Sequence, residues 1–171
     1  MTFLLNSPQS ADCVIKVRAT EIKVHKNILA SRSKVFDSIL MNEQCESNSN
    51  IIEINGFPLK VVKEMINYLY SGKSPNMDKM AFLMLKIAEK YKLKQLKLMA
   101  EKSLIHSLSI GNACDHLLFS ERHSCKILKE WCLRFIYLNA EKVFNTEKWK
   151  VVLNDHPLLV AELFNIAVGI N

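Results

Sequence analysis

The sequence has little of what catalytic loops and secreted folds are built from. Its 171 residues include four glycines and four prolines. So little glycine leaves almost no room for a phosphate-cradling loop and favours helix. No Gly-x-Ser-x-Gly, His-Glu-x-x-His or Walker pattern occurs. The five histidines are scattered, and neighbours in sequence such as Asp115-His116 do not by themselves make a dyad. No enzymatic activity and no cofactor are expected. The cysteines (Cys13, Cys45, Cys114, Cys125, Cys132) are odd in number and never form Cys-x-x-Cys, which fits a reducing, intracellular home in nucleus or cytoplasm. The opening residues 1–6 are too short and uncharged for a signal peptide. The most apolar run, residues 158–170, is broken by Glu162 and Asn165 and is too short to span a bilayer.

Hydrophobic residues make up 49% of the chain, enough for a real core in one large or two small domains. The net charge is +6. The lysines are spread along helical segments and not gathered into a run, which fits a solvated face better than a nucleic-acid site.

Taken in order, residues 13–18 predict a strand and residues 21–24 its hairpin partner, with Ile22 and Val24 on one face. The link Ala19-Thr20 lacks the usual Asn-Gly or Asp-Gly signal. The period then switches to helical. Residues 26–32 and 34–41 predict two short helices, and Ser33 can cap the second. Residues 42–50 read as a polar loop and 51–54 as a third strand. Pro58 opens a helix whose Val61, Val62, Met65, Ile66, Leu69 and Tyr70 form one apolar face, stopped by Ser71-Gly72. Asp78 can cap a helix through Met84, Leu85, Ala88 and Tyr91. Another carries Leu93, Leu96, Met99, Ala100 and Leu104. A boundary is expected at residues 107–109, with Ser109 able to cap the next helix. The rest is all-helical: residues 111–120; 124–138, with Ile127, Leu128, Trp131, Phe135 and Leu138 inward; two shorter pieces, 139–143 and 147–153; and a last helix that opens at His156-Pro157 and carries Leu159, Val160, Leu163, Phe164 and Ala167.

Two constellations invite chemistry. Cys114-Asp115-His116 and His123-Ser124-Cys125 form a near-mirror set of soft ligands that zinc would accept. A Cys-x-His pair points about 200° apart around a helix, so packed cysteines and surface histidines at a helix junction are the better reading, and no metal is expected. His25, at a strand-to-helix junction, reads as a structural histidine donating to a nearby carbonyl.

The pattern Ile22-x-x-His25-x-x-x-Leu29-Ala30-x-x-Ser33-x-x-Phe36 resembles the signature of the BTB/POZ fold. Trp149-Lys150 and the segment His156-Pro157-Leu158-Leu159-Val160-Ala161-Glu162 resemble the end of the BACK region of speckle-type POZ (SPOP-like) proteins. The resemblance runs without gaps over nearly the whole chain. It implies an α+β chain: a BTB/POZ fold (small sheet with surrounding helices) over residues 1–107, then an all-α BACK-like segment over residues 108–171.

The resemblance also implies function in surfaces. SPOP-like proteins pair through the BTB core, associate again through the BACK end, and present a cullin-3 ubiquitin-ligase scaffold to substrates held by a separate MATH domain. This chain starts almost at the first BTB strand, so no MATH substrate reader is expected in it. Ile28 matches an apolar dimer-surface residue, and Leu4 and Leu5 match the tail of the family's first dimerisation helix. Asp12 and Lys26 match a charged pair beneath the dimer, or are simply solvated. Phe164 matches an aromatic of the second self-association surface, or is core. The cullin triplet, an apolar residue, any residue, then Glu, reads Gln44-Cys45-Glu46. An amide in that apolar pocket costs about 1–3 kcal/mol, which Leu40 and Met41 would offset in part. The expected partners are therefore cullin-3 and a second BTB chain, either a copy of this one or an SPOP-like protein. The alternative is a non-ligase module that pairs with or antagonises SPOP-like proteins.

Overall fold

The computed structural model describes residues 10–46 and 50–169, with side chains placed for all of these except 42–46. The elements are β1 (Cys13–Val17), β2 (Thr20–Val24), α1 (Lys26–Arg32), α2 (Lys34–Glu46), β3 (Ile51–Glu53), α3 (Leu59–Ser71), α4 (Met77–Lys90), α5 (Lys94–His106), α6 (Ala113–Arg122), α7 (Lys126–Leu138), α8 (Ala140–Phe144), α9 (Glu147–Asp155) and α10 (Pro157–Ala167). They group into two compact units, Met1–Ala100 and Glu101–Asn171, with the division inside α5.

The first unit is built on a three-stranded sheet of order β2-β1-β3. β1 pairs antiparallel with β2 (Cys13 opposite Val24, Val17 opposite Thr20) and parallel with β3 (Ile15 opposite Ile52). Alternation decides the faces: Cys13, Ile15 and Val17 are buried, while Lys16 reaches Glu53 across the pair at 3.4 Å. The hairpin loop is Arg18-Ala19, one residue earlier than expected. Its shape comes from Arg18, at φ 55° in the left-handed region that a two-residue loop demands.

The α3 face expected from spacing is present in full: Val61, Val62, Met65, Ile66, Leu69 and Tyr70 are each at most 2% exposed. Gly72, at φ 72°, ends the helix in the left-handed conformation, and its N–H donates to the Tyr68 carbonyl. Ser33 does cap α2. Its hydroxyl accepts from the Phe36 N–H at 3.2 Å and donates to the Tyr91 carbonyl at 2.7 Å. Phe36 stacks on Tyr91 at 4.4 Å between ring centroids.

Three expectations shift. α2 runs to Glu46, past the predicted end at Met41, because Glu43, Gln44 and Glu46 are good helix formers. α4 starts at Met77, with non-helical backbone at Met80 (φ −146°, ψ 24°). α6 is preceded by Asn112 in place of Ser109: the Asn112 Oδ1 accepts from the Ser109 N–H at 2.7 Å and its Nδ2 donates to the Ser107 carbonyl.

In the second unit α7 packs on α6 and α10, and α9 on α6, α8 and α10. The buried face of α7 is Leu128, Cys132, Leu133 and Ile136. Ile127, Trp131 and Leu138, expected inward, are 45%, 53% and 78% exposed. The start of α7 explains the rotation. Ser124 takes φ 50°, delaying the helix to Lys126, and the buried Glu101 carboxylate accepts from the Leu128 N–H at 3.2 Å. That bond fixes which side of the first turn faces in. On α10, Leu159 and Leu163 are buried, whereas Phe164 and Ala167 are exposed.

Candidate interaction surfaces

The β2–α1 junction is held by a chain of hydrogen bonds. Tyr70, at 1% exposure, stands with its hydroxyl 2.8 Å from the His25 backbone nitrogen and 2.8 Å from His25 Nδ1. The backbone N–H can only donate, so the phenol oxygen accepts there and keeps one proton that it can give to Nδ1. On the other side of the ring Nε2 stands 3.0 Å from the Ser10 hydroxyl. His25 is structural, as expected, but its partner is a tyrosine hydroxyl and not a carbonyl. Burial is the largest influence on the Tyr70 phenol and raises its pKa.

Asp12 meets Lys26 through the backbone. Its Oδ1 accepts the Lys26 N–H at 2.8 Å, and the Lys26 ammonium goes instead to Asn50 Oδ1 at 2.6 Å. The pair thus fastens the start of α1, where an acid is favourable. One turn on, Ile28 is half-buried. Leu4 and Leu5 lie outside the described residues.

On α2, Leu40 is 5% exposed and belongs to the core, which removes it from the expected contact surface. Met41 is 61% exposed. Gln44 and Glu46 lie on the last helical turn, not in a loop, and their side chains fall outside the described ones.

In the second unit Phe164 is 65% exposed and Leu158 79%, both on α10. Phe164 is therefore not core. Trp149 is 6% exposed and stacks on Phe144 at 4.5 Å, so that stretch packs, as expected. Lys129 bridges three helices, 2.7 Å from both Glu121 and Glu162. Burial alone would lower its pKa, but the two carboxylates raise it above the usual lysine value.

The soft-ligand set does not assemble: among the described residues no group of three or more His, Cys, Asp or Glu is placed to hold a metal. Cys114 and Cys125 are buried. His116 is buried too, at 3% exposure, and not at the surface. Burial lowers its pKa, with the Asp115 charge acting against this. Burial raises the Cys114 thiol and pushes Cys132 up to about 12, so both remain neutral thiols and poor nucleophiles. Among the described residues no helix is long and apolar enough to cross a membrane.

Three features escaped sequence reasoning. The spacing places Tyr70 on the α3 face without its partner His25, nothing local marks Glu101 as a cap, and on α7 the period does not separate the exposed Ile127, Trp131 and Leu138 from the buried Leu128 and half-buried Phe135.

Comparison with known proteins gives these surfaces a family. Residues 2–108 match the BTB/POZ domain model, and residues 112–164 match the BPM/SPOP BACK domain model. The chain is 38% identical over 164 residues to the mouse (Mus musculus) TD and POZ domain-containing protein 2, covering 95% of this chain and 45% of that protein. It thus spans less than half the length of that relative. Among solved structures the BTB domain of zebrafish PATZ1 superimposes with a TM-score of 0.53 at 16% identity, over 62% of this chain and 85% of that one, a likeness of fold. BTB and BACK domains are consistent with a protein-interaction adaptor, and members of the BTB/POZ family are typically non-enzymatic. The chain belongs to the BTB/POZ family, with a small three-stranded sheet and surrounding helices followed by a helical BACK segment of the BPM/SPOP type.

Proposed function

We propose that this chain is a dimeric interaction adaptor for a cullin-3 ubiquitin ligase, with its BTB domain over residues 1–107 and its BACK-like domain over residues 108–171. Pairing runs through Ile28, with Leu4 and Leu5 contributing. The cullin contact runs along the end of α2, through Met41, Gln44 and Glu46. A further self-association surface is centred on Phe164. The observation that carries the cullin reading is the exposure of Met41 at 61%, one helical turn before Gln44. An exposed apolar side chain there can supply part of the buried area that Gln44 does not.

A second reading is favoured by Gln44 itself: a non-ligase module that pairs with its own copy or with SPOP-like proteins and antagonises them. Calorimetric titration of the chain with the cullin-3 N-terminal domain, beside Gln44→Met, separates the two. Sub-micromolar binding by the unaltered chain supports the ligase adaptor. Binding only after Gln44→Met means a lost anchor and supports the non-ligase module. Binding by neither overturns the cullin surface.

A further inference from the structure

The loop between β3 and α3 is bordered by two cations. Arg18, at the tip of the β1–β2 hairpin, lines a cavity of about 280 Å³ together with Ile54, Asn55, Gly56, Phe57 and Pro58. Lys90, at the end of α4, donates to the Asn55 carbonyl at 3.5 Å and stands over the Phe57 ring, 5.5 Å from its centroid. Among the described residues neither cation is ion-paired. The acids around them face other lysines. Glu53 lies 3.4 Å from Lys16 and Glu89 3.4 Å from Lys97, and Glu21 stands opposite Lys16 in the hairpin register. The first turn of α3 carries no acid. Arg18 also holds φ 55°, where glycine or asparagine would be less strained, so a cation is set at the tip against the local preference.

We propose that this loop docks an acidic peptide, a segment with one large apolar side chain beside an Asp or Glu. Volume sets the apolar part. The cavity falls below the roughly 300–1,000 Å³ of small-molecule sites and has room for one side chain against Ile54, Phe57 and Pro58. Charge sets the rest. Both cations border the same loop, and a guanidinium presents a planar fork that matches a carboxylate. Lys90 covers one face of Phe57, which removes that face as a stacking platform for a nucleobase and favours a peptide over single-stranded RNA.

The wider field agrees. Residues 1–100 hold fifteen Lys and Arg against nine Asp and Glu, the whole excess of the chain, and such a field draws acidic partners. Topology keeps the site apart from the contacts proposed above. β1 and β3 run parallel, so the hairpin tip and Asn55 share one end of the sheet. Ile28 follows the end of β2, and α2 leads towards the start of β3, both at the opposite end.

Nitrogen-15 NMR titration of the full chain tests this with three probes: acetyl-Glu-Leu-Asp-Glu-amide, acetyl-Gln-Leu-Asn-Gln-amide and oligouridine. The acidic peptide moves the amides of Arg18, Asn55, Gly56 and Phe57 saturably and binds about tenfold or more tighter than the neutral one. Arg18→Gln with Lys90→Gln cuts its affinity about tenfold. Lys23→Gln with Lys34→Gln, both exposed, removes the same charge elsewhere and changes affinity less than about twofold. Equal losses in the two double variants, no movement of these amides with millimolar peptide, equal binding of the neutral peptide, or tighter binding of oligouridine at this loop overturns the proposal. Should the loss of Lys90 from Phe57 disturb the fold, Arg18→Gln alone is read, with a loss of about threefold expected.

Discussion

Replacing Tyr70 by phenylalanine removes one oxygen from the first unit and is expected to cost far more than the area it leaves. The ring stays, and the site at 1% exposure keeps its volume within one hydroxyl, so the cavity contribution is small. What goes is the acceptor for the His25 N–H and the hydroxyl bonded to His25 Nδ1, both at 2.8 Å. Each bond is worth about 1 kcal/mol net, and the stranded N–H adds about 1 kcal/mol of uncompensated desolvation. The sum is roughly 2–3 kcal/mol. Urea denaturation followed by amide exchange at His25 measures it. A double cycle with His25→Phe should give a coupling of about 1 kcal/mol. Nitrogen-15 NMR of the imidazole adds an independent readout: the unaltered chain should show the proton on Nε2, and Tyr70→Phe should lose the preference. A loss of stability below about 0.5 kcal/mol would refute the hydrogen-bond accounting, and a proton on Nδ1 in the unaltered chain would refute donation from Tyr70 to that nitrogen.

Three further outcomes follow from single contacts. Glu64 is 6% exposed and accepts from Ser74 Oγ, the Asn76 N–H and Asn76 Nδ2. Burial pushes its pKa up, but those bonds bring it below its ordinary 4.5. A lowered folded pKa adds stability that is present above the unfolded value and lost as pH falls through the folded one. Glu64→Gln should therefore destabilise by about 1–2 kcal/mol at pH 7, and the gap should close in denaturation series run to acid. Glu101→Ala strips the first turn of α7 of its carboxylate acceptor and should cost about 1–3 kcal/mol by thermal melting, with Glu101→Gln recovering most of it. Arg18→Gly relieves a left-handed residue in the hairpin loop and should raise the denaturation midpoint by the equivalent of about 0.5–1 kcal/mol.

Local rules read the first unit well. The switch from period two to helical period between Val24 and Ile28 falls where β2 gives way to α1. The α3 face was legible because an amphipathic stripe with polar neighbours has one orientation. α7 was not, because it is apolar on both sides. Ile127, Trp131 and Leu138 compete with Leu128, Cys132 and Ile136 for the same reading, and periodicity fixes the spacing of a face but not which of two faces is inward. The decision rests with Glu101, twenty-seven positions upstream of Leu128, and no local pattern reports it. His25 shows the same limit. Its structural role was visible from its place in the BTB pattern, while its partner, forty-five positions away in Tyr70, depends on how α3 packs beside α1.

The two units present different surfaces to a partner. The whole excess of positive charge lies in residues 1–100. Ten of the thirteen exposed large hydrophobic residues among those described lie between Ile127 and Val168. At physiological salt a charge acts over about 8 Å, so a basic unit biases the first encounter towards acidic surfaces without fixing the final fit. A neutral unit lined with Trp131, Leu138, Leu158 and Phe164 steers little at a distance, but it has the large side chains that anchor a contact once it is made. In one chain these act at different stages. Charge on the first unit suits the approach, and large apolar side chains on the second suit the contact once made. An interaction protein made this way needs no deep pocket and no reactive group: its selectivity is divided between charge on one unit and apolar area on the other.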